Sequence, residues 1–120
     1  MRPHEKLDVW KRAVDLVVEV YQATEVFPKE EKFGLTSQVR RAAVSIPANI
    51  AEGAARTSTK EFLNFLSIAQ GSASEVATEL LIAHRLGYLN GDLFQRLHTN
   101  LDDISRMILG LSKHLRGRES

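Results

Sequence analysis

The sequence predicts an all-α fold, an antiparallel up-down-up-down four-helix bundle. Three observations predict it. Apolar residues recur at steps of three and four in four separate stretches, short turn-forming segments divide those stretches, and none shows the strict alternation of a half-buried strand. Four helices of about 17–28 residues, about 25–40 Å long at 1.5 Å per residue, match one another in length. Their short connections favour antiparallel neighbours. All of 1–120 is expected to form one domain, with helices at 9–25, 36–55, 59–87 and 91–116.

The first helix is expected to start after Asp8, a suitable N-cap because its carboxylate can accept from an unpaired backbone N–H. Polar residues at Arg12, Asp15, Glu19 and Gln22 leave a broad apolar face that includes Trp10, Ala13, Val14, Val17, Val20 and Tyr21. Phe27-Pro28 ends it. Pro47 lies inside the second helix, where its missing N–H and its ring predict a kink rather than a break. Ser58-Thr59-Lys60-Glu61 reads as a capping box that opens the third helix. The core stripe there is Phe62, Leu66, Ala69, Ala73, Val76, Leu80 and Ala83, and Gly87 is placed to terminate it in a left-handed conformation. The fourth helix opens after Asn90-Gly91, carries a heptad-like seam from Phe94 through Leu97, Leu101, Ile104, Ile108 and Leu111 to Leu115, and is expected to end at Gly117.

Composition narrows the function classes. Sixteen Lys and Arg oppose fifteen Asp and Glu, a net charge of +1, which is no global footprint for nucleic acid. The absence of cysteine excludes disulfides and thiolate metal sites. Apolar runs such as Leu16-Val17-Val18 fall far below the roughly 20 residues of a membrane span. The N-terminus, Met1-Arg2-Pro3-His4-Glu5-Lys6, leads into amphipathic sequence unlike a signal peptide, so a cytoplasmic protein without a membrane partner is expected. None of His4, His84, His98 and His114 has an acidic residue three positions before it, so the ligand spacing of a di-metal bundle is missing. There is no Gly-x-Ser-x-Gly elbow, and the scattered glycines form neither a phosphate-binding loop nor a dinucleotide fingerprint. No enzyme activity, catalytic residue, metal or cofactor is expected.

The second helix is unusual. Gln38, Arg41, Ser45, Asn49 and Glu52 lie within about 40° of one line. That narrow polar stripe has Val39, Ala43, Ile46 and Ile50 on one side and Val44, Ala48, Ala51 and Ala55 on the other. A solvent-facing stripe is normally wide and rich in Lys and Glu. Two readings follow. The stripe is buried and its members satisfy one another or neighbouring helices, or it is a recognition surface on which Arg41, supported by Arg40 and Arg56, meets an anion such as phosphate. Lys113, His114, Arg116 and Arg118 crowd the C-terminus, either as solvated helix-dipole partners or, for Lys113, Arg116 and Arg118, as nucleic-acid contacts. On the third helix Ile68 and Ile82 fall opposite the core stripe near Gly71, which points to contact with another chain. A homo-oligomer is therefore expected.

Several of these segments resemble a known family. Leu7-Asp8-Val9-Trp10-Lys11, Phe27-Pro28-Lys29-Glu30-Glu31 and above all the run Ser37 to Gly53, with its Ser45-Ile46-Pro47-Ala48-Asn49-Ile50-Ala51-Glu52-Gly53 core, are similar to the four-helix-bundle 23S rRNA intervening-sequence proteins. Ala69-Gln70-Gly71-Ser72, Glu75 and Leu86-Gly87-Tyr88-Leu89 extend the resemblance over roughly residues 6–115. The accessory protein of diversity-generating retroelements looks like a relative of that family and binds nucleic acid and a reverse transcriptase. The resemblance implies a bundle assembled as a ring, commonly a pentamer, with no established enzymatic activity. The expected function is a non-enzymatic homo-oligomeric scaffold or adaptor associated with rRNA or an RNA-associated protein. The alternative is a protein-interaction module without nucleic acid.

Overall fold

The computed structural model describes residues 1–119. Among them are four α-helices, α1 (Asp8–Thr24), α2 (Leu35–Ala54), α3 (Thr59–Arg85) and α4 (Gly91–Glu119), and no strand. Short 3-10 turns at Pro3–Lys6 and Lys29–Glu31 precede α1 and α2. The helices form a four-helix bundle, a rod of 49 × 22 × 22 Å. Each helix packs on its sequence neighbours and α4 packs back on α1, while α1 and α3, and likewise α2 and α4, lie across the diagonals. Cross-helix pairs run with opposed numbering: Arg12 meets Asp103 while Glu19 meets Asn100, and Ser45 meets Ser72 while Gly53 lies against Phe62 and Phe65.

The helix ends show which local signals operate. Leu7, not Asp8, is the residue flanking α1. The 3-10 turn feeds directly into the helix through Leu7 N to His4 O, Asp8 is the first helical residue, and no side chain caps the end. The Asp8 charge still sits favourably at the positive end of the helix dipole. Ser58 does cap α3, its Oγ accepting from Glu61 N at 3.1 Å. The α3 C-terminus is a Schellman turn, with Tyr88 N bonded to Ala83 O, Gly87 N to His84 O and Gly87 at φ +81°. Asn90 Oδ1 accepts from Leu93 N at 2.8 Å and starts α4. α4 then passes through Gly117, the expected stop; among the described residues Gly87 alone takes a positive φ. α2 continues through the buried Pro47 to Ala54.

Leu16, Val20, Val39, Ile46, Ile50, Leu66, Val76, Leu80, Leu97, Ile104 and Ile108 are fully buried and fill the space between the helices. The expected α3 and α4 stripes face this core, with Phe62, Phe94 and Leu111 packed at its edge. The α1 stripe is turned from the expected one. Its buried line is Val9, Ala13, Leu16, Val20 and Ala23, whereas Trp10, Val14 and Val17 are half-buried and Tyr21 is exposed. α1 is apolar over more than half its circumference, so spacing alone leaves the direction of the core open. Between α2 and α3 the spacing is tight. A Cβ on Gly53 would lie 2.8 Å from Phe65 Cβ and 2.9 Å from Phe62 Cδ1, so only glycine lets the helices approach this closely.

Candidate interaction surfaces

The polar stripe of α2 divides into parts with different surroundings. In its middle, Ser45 and Ser72 bring their hydroxyls to 2.9 Å across the α2–α3 seam. Asn49 Nδ2 donates to Ser45 O at 2.8 Å and to Ser45 Oγ at 2.9 Å. These groups are half-buried and bonded to one another. The ends of the stripe are exposed. Glu52 pairs with Arg56 at 3.0 Å, while Gln38 and Arg41 face outward. Arg41 and Glu52 are eleven positions apart, about 16 Å along the helix, and do not meet. The stripe is a hydrogen-bonded seam with two open ends.

Its flanks differ just as sharply. Val39, Ala43, Ile46 and Ile50 belong to the core, whereas Val44, Ala48 and Ala55 are exposed and Ala51 is half-buried. Val44 is 42 % exposed, and on α3 Ile68 and Ile82 are 45 % and 44 % exposed. Gly71 and Glu75 lie exposed between the two isoleucines. Glu79, only 7 % exposed, is tucked beneath this face with Oε1 lacking a partner. Burial first, and the neighbouring Glu75 carboxylate second, push its pKa up to about 7, so the proton it retains offsets the cost of removing a carboxylate from water.

The basic residues singled out by the sequence occupy separate places. Arg40 is held in place, donating from Nε to Thr24 Oγ1 at 2.8 Å and from Nη2 to Tyr21 O at 3.2 Å, with its guanidinium 4.5 Å from the Tyr21 ring centroid. Arg56 lies between Glu52 and Glu61 and covers the Phe65 ring at 4.9 Å. Lys113, Arg116 and Arg118 are exposed on the last turns of α4. Arg41 alone is about 20 Å along α2 from Ala54, and Arg56 lies beyond that end. The cations therefore form separate groups along the rod.

A further surface escaped sequence reasoning. Where the chain passes from α1 into α2, two adjoining hollows of about 460 and 300 Å³ share Lys32, Thr36 and Arg40. Phe33 stands on their rim, 89 % exposed. Its visible signal was a lone aromatic set between a lysine and Gly34 in a connecting segment. The loop itself is fastened. Glu31 accepts from Leu35 N at 3.1 Å through Oε1 and from the Tyr88 hydroxyl at 3.1 Å through Oε2. That bond to Glu31 is the first cause of the raised Tyr88 pKa. At the same end of the rod, His84 places Nδ1 2.9 Å from Leu89 O and stacks on Phe94, centroids 4.7 Å apart. Among the described residues no three of His, Asp and Glu converge to hold a metal ion, and no helix is long and apolar enough to cross a membrane.

Residues 5–110 match the family described as 23S rRNA-intervening sequence protein. The chain belongs to that family. A solved structure shares the fold of this family member: a protein with unknown function from the S23 ribosomal protein family of Bacteroides thetaiotaomicron, with a TM-score of 0.79 and 23 % identity, covering 88 % of this chain and 98 % of that one. No curated protein matches the chain. The structural neighbour shares the helical bundle, and neither its description nor that of the family names an activity.

Proposed function

We propose that this family member is a non-catalytic helical scaffold that assembles with copies of itself and serves as an adaptor in an RNA-associated complex. The observation that carries the reading is the outward side of α2 and α3, where Val44, Ile68 and Ile82 stand exposed among Ala48, Ala55 and Gly71. Isolated exposed apolar residues are ordinary; several on neighbouring helix faces with few charges mark a contact surface. The Ser45–Asn49–Ser72 seam supports it, because its hydroxyls and the Asn49 amide donor are already bonded within the chain and only Asn49 Oδ1 would need a donor from a covering partner. The RNA connection is supported by the family description and by cations that carry no carboxylate partner among the described residues, Arg41, Lys113 and Arg116 among them.

Light scattering on the purified chain at micromolar concentration tests the assembly, with a particle mass several times 13.4 kDa expected. A 13.4 kDa particle would remove the scaffold reading. Ile68→Glu together with Ile82→Glu should return the particle to one chain while leaving its melting intact, since both side chains are already half in water. The near-neutral net charge favours a second reading, a protein-interaction module without nucleic acid. It predicts a partner complex whose mass is unchanged by nuclease.

A further inference from the structure

We propose that the hollow between the end of α1 and the first half of α2 binds single-stranded nucleic acid, with phosphates held by Lys29, Lys32 and Arg41 and one base stacked on Phe33. This rests on the RNA arm of the reading above and supplies the site and the form of nucleic acid for it.

The first argument is charge. Lys29, Lys32, Arg40 and Arg41 line the two adjoining hollows, and Glu25 is the one carboxylate among the lining residues. A chain with a net charge of +1 therefore gathers four cations around one concavity. Elsewhere on the rod Arg12, Arg56, Arg96 and Arg106 each pair with a carboxylate. None of the four cations here does so among the described residues. Cations without carboxylate partners around a concave surface raise the local concentration of an anionic ligand.

The second argument is the aromatic. Phe33 contributes almost nothing to the fold, being 89 % exposed, yet an exposed phenylalanine forfeits the full benefit of burial. Lys32 Nζ lies 5.4 Å from its ring centroid, so a cation and an accessible π-face are presented together. Stacking platforms beside cations are how single strands are held without sequence readout. A duplex keeps its bases stacked inside and offers no base face to Phe33. Arg40 plays a different part. Its N–H groups are used on Thr24 and Tyr21, so it fixes the wall of the hollow and adds charge without moving.

The geometry also gives the ligand a backing. Glu31 is bonded to Leu35 N and Tyr88, which anchors the turn that carries Lys29, Lys32 and Phe33. The side chains that would meet the ligand are thus mounted on a fixed loop, and less ordering is lost on binding.

The test is fluorescence anisotropy of the intact chain with labelled oligouridylate and oligodeoxythymidylate of about twelve nucleotides, a length within single-strand site sizes, and with an RNA duplex of equal length. Both single strands should bind more tightly than the duplex. Phe33→Ala should weaken them about tenfold, the loss of one stacked base. Lys32→Ala and Arg41→Ala should each weaken binding severalfold and lower the slope of log affinity against log salt by about 0.7. Glu25→Gln should tighten it about twofold to threefold by removing the opposing charge. All four side chains are at the surface, and unchanged melting will confirm that the variants fold.

No binding at low salt, equal binding by Phe33→Ala, or a duplex bound as tightly as the single strand would overturn the proposal. Losses confined to Lys113→Ala and Arg116→Ala would move the site to the other end of the rod and overturn it equally. Displacement by polyglutamate as effectively as by oligouridylate would assign the hollow to an acidic polypeptide instead. Particle mass separates this result from the assembly: a multi-chain particle that binds no oligonucleotide sinks only the site, and a single chain that binds sinks only the scaffold.

Discussion

The α2–α3 and α1–α4 seams join their helices by different means. α2 and α3 meet where α2 presents small residues: Gly53 against Phe62 and Phe65, and the hydroxyls of Ser45 and Ser72 at 2.9 Å. α1 and α4 are linked at their rim by long side chains, Arg12 to Asp103 at 3.1 Å, Asn100 to Glu19 at 3.2 Å and Arg96 to Glu19 at 3.5 Å. A seam built from short groups fixes the spacing of its backbones and cannot yield. A seam bridged by flexible chains can lose a bridge and re-form around water. Sensitivity to substitution should therefore be concentrated on the α2–α3 side.

The sharpest way to break that contrast is Gly53→Ala. The added methyl must displace Phe65 Cβ, which is attached directly to backbone, so a loss of about 2–3 kcal/mol is expected by urea unfolding. A neutral result would mean that the two helices are free to separate.

Next in size is Glu79→Gln, measured as Tm against pH. The folded carboxyl keeps its proton to about pH 7, whereas its usual value is 4.5, so the folded state binds the extra proton between those limits. The contribution of Glu79 is fully present below pH 4.5 and is lost as pH rises through 7. Glutamine removes the ionisation, so the variant should match the parent at pH 4 and exceed it by about 2 kcal/mol at pH 8. Equal stability at pH 8 would place the Glu79 carboxylate in water.

Gly110→Ala on the exposed side of α4 should stabilise by about 0.8 kcal/mol, since nothing lies within 4 Å of the new methyl and alanine is the better helix former. A loss there would show that the α4 surface is as confined as Gly53. The smallest effect is expected from Arg12→Ala. Asp103 is held below its usual carboxylate range first by Arg106 and then by Arg12, so one cation remains after the substitution. Tm should fall by no more than about 2 °C, and the difference should vanish in high salt.

Much of the bundle was legible because its α3 and α4 stripes are narrow. Leu66, Ala69, Ala73, Val76, Leu80 and Ala83 recur with a single dominant period and all are buried. Where a helix is apolar on two arcs, periodicity cannot choose between them. Val44 and Ala48 look as core-like in sequence as Val39 and Ala43, yet they face outward. α1 shows the same ambiguity in Leu16 and Tyr21. The polar stripe was visible as a line, but its division into a bonded middle and open ends depends on where Ser72 falls, a residue 27 positions from Ser45. The hollow beside Phe33 showed in the sequence only as that one aromatic in a connecting segment. Lys29 and Lys32 read as ordinary loop charges until folding sets them beside Arg40 and Arg41 from the next helix. Glu79 similarly carries no local sign of burial, since Glu75 and Thr78 on the same side of α3 are exposed.

At 22 Å across, the rod has room for one thickness of side chains between its backbones, so its interior is a column of thin layers rather than a rounded core. Each layer takes about one turn from each helix and touches only the layers above and below it. Damage at the Gly53–Phe62 layer lies about 33 Å along α3 from the layer of His84 and Phe94. The two ends should open to solvent independently, each exchanging its amide hydrogens at its own rate, with the middle layers of Leu66, Val76 and Ile104 the last to exchange.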